Sequence, residues 1–298
     1  MKKASLFVGC TVPVRGTNYE QSFREVAKRL QIDLTDLSGF SCCGFPTHSI
    51  HRITALALSA RNLALSSQSS LLSMITLCNA CTENMTHTNH VIQHDPDARN
   101  EINRILSQIH LSYQGEVKVK HAMRYLYEDI GITAIQASVK KPLSSLRIAA
   151  YPGCHYTKPS DLYDHFDSPE NPHTLQDLVR ATGASAIPYH SSCCGGGTLG
   201  AKEDTALLMA SQTLKSMKEN GVDAIVVICP FCDVMFEQNQ KKIEKLTGEE
   251  YNLPILYYPQ LLGLAMNIER EKLGLSINRI KLDKVLAKIQ PIQPENKE

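Results

Sequence analysis

The sequence predicts an α/β protein built from two homologous halves, each with a small, mainly parallel sheet and flanking helices. Three observations lead there. A pattern of five cysteines occurs twice, short β-rich runs alternate with segments of helical spacing, and 298 residues is about the length of two ordinary domains.

The repeat is read from the cysteines, which fall at Cys10, Cys42, Cys43, Cys78 and Cys81, then at Cys154, Cys193, Cys194, Cys229 and Cys232. In the first set 31 residues separate Cys10 from Cys42 and 34 separate Cys43 from Cys78; in the second the gaps are 38 and 34. Four of the five positions are related by one offset, 151. The flanks repeat as well, with a glycine before Cys10 and Cys154, and with Ser41-Cys-Cys-Gly44 answered by Ser192-Cys-Cys-Gly195. A duplicated domain accounts for this, the first copy at residues 1–140 and the second at 147–290. The polar, proline-containing run from Ser138 to Ser145 marks the boundary.

In chain order, the first β-rich run is Ser5 to Val8, and Cys10 closes it. Tyr19 to Leu30 and Thr54 to Ser66 then carry apolar residues at helical spacing. Leu71 to Leu77 is again β-rich and runs into Cys78. The second half answers with strands at Leu146 to Tyr151 and Ala224 to Ile228, and with helices at Ala201 to Glu219 and Val234 to Leu246. Cys10, Cys78, Cys154 and Cys229 thus stand where strands end, the edge at which open α/β sheets place their sites. Cys78-Asn-Ala-Cys81 and Cys229-Pro-Phe-Cys232 are expected to open helices, with Pro230 suited to a first helical turn. A helix N-terminus stabilises thiolate charge.

Composition excludes several classes. Apolar residues make up 43% and charged residues 20%, which is globular. A net charge of +1 gives a nucleic-acid role no support. The apolar run at the N-terminus is broken by Pro13 and Arg15, too soon for a signal peptide. No apolar stretch approaches the roughly 20 residues of a membrane span. A cytoplasmic protein is expected, and in a reducing compartment clustered cysteines bind metal or do redox chemistry rather than form disulfides.

Five thiols per half narrow the chemistry without closing it. Structural zinc takes four ligands, and an ordinary [4Fe–4S] cluster also takes four, so either leaves a cysteine over, free to act as a thiol. Neighbouring side chains in an extended segment point in opposite directions; a turn at Gly44 or Gly195 would bend both cysteines of a pair toward one polynuclear group, and glycine lets such a group approach the main chain. The run Gly195-Gly-Gly197 would aim backbone N–H groups at anionic sulfur.

At these residues the chain resembles the cysteine-rich C-C-G domain family, whose pattern is a cysteine, a gap of thirty-odd residues, C-C-G, a similar gap and C-x-x-C. Both copies match in full, over nearly the whole chain. Within that family it is similar to the B subunits of heterodisulfide reductases, including the ending Tyr258-Pro-Gln-Leu-Leu-Gly-Leu-Ala265. The resemblance implies two α/β C-C-G domains, each holding a noncubane [4Fe–4S] cluster through its five cysteines, with zinc as an alternative at the first site. One site would be Cys10, Cys42, Cys43, Cys78 and Cys81, the other Cys154, Cys193, Cys194, Cys229 and Cys232. It further implies a disulfide of thiol cofactors such as coenzyme M–coenzyme B between the clusters. Electrons would come from a ferredoxin-like C subunit, itself fed by a flavoprotein A subunit.

Two other readings compete with a disulfide-reducing enzyme. One is an electron-transfer or quinone-linked C-C-G subunit of a dehydrogenase or fumarate/succinate complex; the other is a zinc-stabilised interaction module. His155, His190 and His48 lie near cysteines and titrate near neutrality, which makes them candidate proton donors. Lys158, Arg180 and Arg15 are candidates to meet an anionic thiol.

Overall fold

The computed structural model describes residues 3–289. The expected outer limits of the two domains, at residues 1 and 290, lie outside the described residues. In the first half the strands are β1 (Lys3–Phe7), β2 (Asp33–Thr35), β3 (Ser73–Thr76) and β4 (Lys118–His121), in the order β2-β1-β3-β4. The second half gives β5 (Arg147–Tyr151), β6 (Ser185–Ala186), β7 (Ala224–Val227) and β8 (Ile255–Tyr257), in the matching order β6-β5-β7-β8. Every pairing is parallel; Ser5 lies opposite Met74, and Ile148 opposite Ala224.

The strands at each sheet's centre are covered on both faces, which is why they read as continuous apolar runs. Ala224 to Val227 are all buried, and only the first residue of β1 and of β5 is exposed. Edge strands are shorter or more polar. β2 is Asp-Leu-Thr, β6 is two residues, and β4 is Lys-Val-Lys-His.

The main helices are α1 (Thr17–Arg29), α2 (Arg52–Gln68), α3 (Asn79–His94), α4 (Pro96–Ser107), α5 (Thr174–Ala181), α6 (Glu203–Glu219), α7 (Pro230–Asp233), α8 (Gln240–Thr247) and α9 (Tyr258–Ala265). The single helix expected over Val234 to Leu246 is interrupted. Asn239 donates both its backbone N–H, at 3.1 Å, and its side-chain Nδ2, at 2.8 Å, to the Val234 carbonyl. That widens Val234–Gln238 into a π-turn before α8 begins. Among the described residues no helix is long and apolar enough to cross a membrane.

The two sheets share one core. Met74 and Ile75 alternate across β3, so one joins a cluster within the first half while the other joins a cluster that spans both. In the spanning cluster Tyr19, Phe23 and Val26 of α1 pack with Tyr257, Leu261 and the strands of the second half. Tyr19 is fully buried, stacks on Tyr257 with ring centroids 4.2 Å apart, and donates its hydroxyl to the Ile228 carbonyl at 3.1 Å. Tyr19→Ala is therefore expected to cost about 3–5 kcal/mol. Tyr19→Phe should cost about 1 kcal/mol, because the Ile228 carbonyl keeps a second donor in His121 Nε2. Urea unfolding of the two variants beside the parent checks the ordering.

Candidate functional site at the strand ends

Each half builds its cysteine set in the same way. Cys10 and Cys154 follow the carboxyl ends of β1 and β5, and the paired cysteines lie in the loops that lead into α2 and α6. Cys78 and Cys229 are the extended residues just before α3 and α7, at φ −142°, ψ 126° and φ −125°, ψ 128°. Cys81 and Cys232 sit on the first turns of those helices. The turn after each pair is also copied. Gly44 and Gly195 take φ +90° and +77°, and their N–H groups donate to the Cys42 and Cys193 sulfurs, each at 3.4 Å.

All ten cysteines carry free thiols, with Cys10, Cys154 and Cys193 exposed, Cys42 half-buried and the other six buried. Nine of them form one ladder of sulfur contacts, which runs from Cys42 through Cys43 and Cys81 to Cys78, crosses to Cys229, and continues through Cys232, Cys194 and Cys193 to Cys154. Cys10 stands at the outer end, 3.8 Å from the Thr11 hydroxyl and near enough to Cys42 to raise its thiol. The Cys78–Cys229 contact joins the two halves.

Thiols packed this closely cannot ionise independently. Contact with Cys229 holds the Cys78 thiol up, contact with Cys43 raises Cys81, and contact with Cys194 raises Cys232, with burial adding in each case. Cys193 is pulled down by its contacts with Cys154 and Cys194. Among the described residues no three His, Cys, Asp or Glu side chains converge as a single metal ion requires. What the donors offer is an all-sulfur surface drawn out along each half. The main chain comes close to it: a Cβ on Gly9 would stand 3.0 Å from Cys81 Sγ, and one on Gly153 would stand 3.1 Å from Cys232 Sγ. The chemistry and the extent of this donor set fit a polynuclear sulfur-bridged group better than one ion.

Three apolar side chains lie between the sets. Phe45, Ala80 and Phe231 line both a cavity of about 130 Å³ that all five second-set cysteines reach and a smaller one bounded by Cys10, Cys43, Cys78 and Cys81. A wider cleft, about 670 Å³, opens beside the exposed Cys154 and Cys193 and takes in Lys158 and His190.

Of the three candidate histidines, His155 lines the 130 Å³ cavity and packs edge-on to Phe45 at 5.2 Å, and His190 faces the cleft. His48 instead meets His87, ring centroids 5.5 Å apart, with its Nε2 buried and unpaired. Lys158 alone of the three basic candidates borders the site. Arg180 is engaged by Asp177 and Gln176, and Arg15 by Gln238.

Sequence reasoning passed over two carboxyl groups. Burial, then the nearby Cys43, pushes Glu83 up to about 7, and burial likewise pushes Asp233 up to about 7. One lies just after each C-x-x-C, so each half keeps a carboxyl that holds a proton near neutrality. Their closeness to the motif was visible; their burial was not.

His121 was also missed. It is fully buried, donates from Nε2 to the Ile228 carbonyl at 3.1 Å and accepts at Nδ1 from the Met123 N–H, so both ring nitrogens are used in the neutral form. Burial lowers its pKa to about 4. Because the unfolded chain takes up this proton near pH 6.5, the stability contribution is complete above that pH. It falls as pH drops from about 6.5 to 4, by up to about 3 kcal/mol. Urea midpoints at pH 7 and pH 5 should show the loss, and His121→Gln should flatten it.

The cysteine-rich (CCG) domain family matches residues 4–86 and 148–237, the two segments that carry the two sulfur sets. The chain is 35% identical over 98% of its length to the B subunit of the ferredoxin:CoB-CoM heterodisulfide reductase of Methanosarcina mazei, of which it covers 98%. The chain belongs to the family of heterodisulfide reductase B subunits. Another relative of this B-subunit family member is the 8-methylmenaquinol:fumarate reductase membrane anchor subunit of Wolinella succinogenes, 31% identical over 95% of this chain and 99% of that one. The fold recurs in the crystal structure of a hypothetical protein from Helicobacter pylori, at a TM-score of 0.76 and 19% identity, over 94% of this chain and 52% of that one.

Proposed function

We propose that this B-subunit family member is the iron–sulfur component of an oxidoreductase that reduces, or reversibly forms, the disulfide of thiol cofactors such as coenzyme M–coenzyme B. The observation that carries the reading is the meeting of two five-thiol sets at Cys78 and Cys229, with Phe45, Ala80 and Phe231 between them. Cys10, Cys42, Cys43, Cys78 and Cys81 would hold one [4Fe–4S] group of the noncubane type, and Cys154, Cys193, Cys194, Cys229 and Cys232 the other. Such groups supply electrons one at a time and a metal to receive thiolate sulfur. The working unit is then the pair of domains, 1–140 and 147–290. Its electrons are delivered in the cytoplasm by a flavoprotein A subunit through a ferredoxin-like C subunit.

The chain's own residues do the rest. Phe45 and Phe231 keep water from the space between the sets, where an unscreened sulfur charge is felt most strongly. Cleavage of a disulfide to two thiols takes two electrons and two protons; His155 lines the cavity wall, while the Glu83 and Asp233 carboxyl groups, both pushed up to about 7, lie one or two residues after the C-x-x-C cysteines and off the cavity lining. Lys158 at the cleft suits an anionic substituent on the thiol.

A second reading keeps the sulfur sets and replaces the substrate. The resemblance to the fumarate reductase anchor protein favours a quinone-linked electron-transfer role. Iron and acid-labile sulfide, measured after oxygen-free purification, test both readings at once, since absence of either element removes the two together. Reduction of a coenzyme M–coenzyme B disulfide by the isolated chain with a reduced viologen separates them. Turnover supports the reductase; conduction to a partner without turnover supports the anchor-like role.

A further inference from the structure

The two halves are not equivalent where it matters most to the sulfur. With the offset of 151, Cys78 answers Cys229 and Cys81 answers Cys232, but the two residues between them differ, and Asn79 stands where the second half has Pro230. Asn79 is 1% exposed, and its side chain reaches out of its own half. Its Nδ2 donates to the Pro152 carbonyl at 2.7 Å, while its Oδ1 is buried without a partner. It lines the 130 Å³ cavity together with the five second-set cysteines.

Nδ2 and a second-set sulfur approach one shared point. A Cβ built on Gly153 would lie 2.9 Å from Asn79 Nδ2 and 3.1 Å from Cys232 Sγ, with Cys229 Cβ 3.8 Å away. Gly9, the counterpart of Gly153, meets only Cys81 Sγ at 3.0 Å and the Phe7 ring. So an amide and a second-set sulfur both approach Gly153, whereas Gly9 meets a sulfur and no amide; the first set's own amides, Asn62 and Asn84, are spent on the Cys42 and Cys43 carbonyls at 3.1 and 2.7 Å. Proline at 230 carries no side-chain donor with which to return the contact.

We propose that Asn79 is a positioning residue through which the first half governs the second cysteine set. One Nδ2 hydrogen holds the Pro152-Gly153-Cys154 turn, and so places Cys154; the other is offered to the second set's anionic sulfur. The proposal rests on the reading that this set holds an iron–sulfur group. Hydrogen bonds to cluster sulfur favour the more negative, reduced state and so raise its potential. The second group would then sit at a higher potential than it would without this donor.

The test uses the full chain, purified without oxygen, as Asn79→Ala and Asn79→Asp, with Cys194→Ala as the reference that assigns signals to the second set. Asp keeps the shape of the side chain and removes both N–H donors. Redox titration followed by electron paramagnetic resonance should show the second set's midpoint moved to more negative potential and its signal altered in both variants, with the first set's midpoint and signal unchanged. Viologen-driven turnover should fall several-fold in kcat with little change in KM. If Asn79→Ala loses the second group outright while the first remains, Cys154 placement is supported, and Asn79→Asp then reports the potential.

Wild-type midpoints and signals for both sets in both variants would overturn the proposal. So would an equal change in the two sets, which marks a general disturbance of the fold. A wild-type chain that carries no iron and no sulfide would instead defeat the functional reading, before any variant is compared.

Discussion

Alanine in place of Cys194 is expected to remove the second set's iron and sulfide while the chain stays folded, so that roughly half of the total is lost. Cys194 is 6% exposed and sits in the ladder between Cys193 and Cys232, so no neighbouring thiol can take its place. The fold should survive because a buried cysteine packs as a small apolar side chain, and its loss leaves only a methyl-sized gap, about 1 kcal/mol. The first set touches the second through Cys78 and Cys229, two steps farther along the ladder, so its spectrum should persist. Cys193→Ala should give the same result, since it breaks the next rung out. Full iron content in either variant would sink the ligand assignment.

Gly195→Ala and Gly44→Ala should be among the most destabilising single substitutions in the chain, at roughly 3 kcal/mol or more each. Both glycines have positive φ, where a Cβ alone costs about 1–2 kcal/mol. The larger part is steric. A Cβ on Gly44 would stand 2.5 Å from the Ala55 carbonyl oxygen and one on Gly195 would stand 2.6 Å from that of Ala206. Those oxygens belong to α2 and α6, whose backbones cannot yield as a flexible side chain would. Gly248→Ala provides the control, because its φ is +72° yet nothing lies within 4 Å of the added Cβ, and about 1 kcal/mol is expected there. Thermal unfolding of the three variants would separate strain from collision. Equal shifts in all three would refute the steric account.

The repeat, the parallel α/β class and the four central strands were readable because their causes are local. A strand covered on both faces must be apolar throughout, and Ile148 to Tyr151 or Ala224 to Val227 can satisfy that in no other way. The edges were not readable. Asp33–Thr35 and Ser185–Ala186 owe their pairing to the neighbours β1 and β5, and Lys118–His121 to β3, rather than to any pattern of their own. The placement of the cysteines at strand ends and repeated turns was readable, but the contact between the sets was not, because it depends on how one half faces the other. The same limit hid Asn79, His121 and Tyr19, whose partners Pro152 and Ile228 are 73, 107 and 209 residues away along the chain.

The Ile228 carbonyl, one residue before Cys229, receives hydrogen bonds from Tyr19 and His121 and so from opposite ends of the first half. The second copy thereby depends on the first to complete its hydrogen bonding. Severed at the linker, the later copy would present an oily flank where α1 had lain and an unsatisfied oxygen beside its own thiols, so its fragment should clump during synthesis unless the earlier copy is supplied in trans.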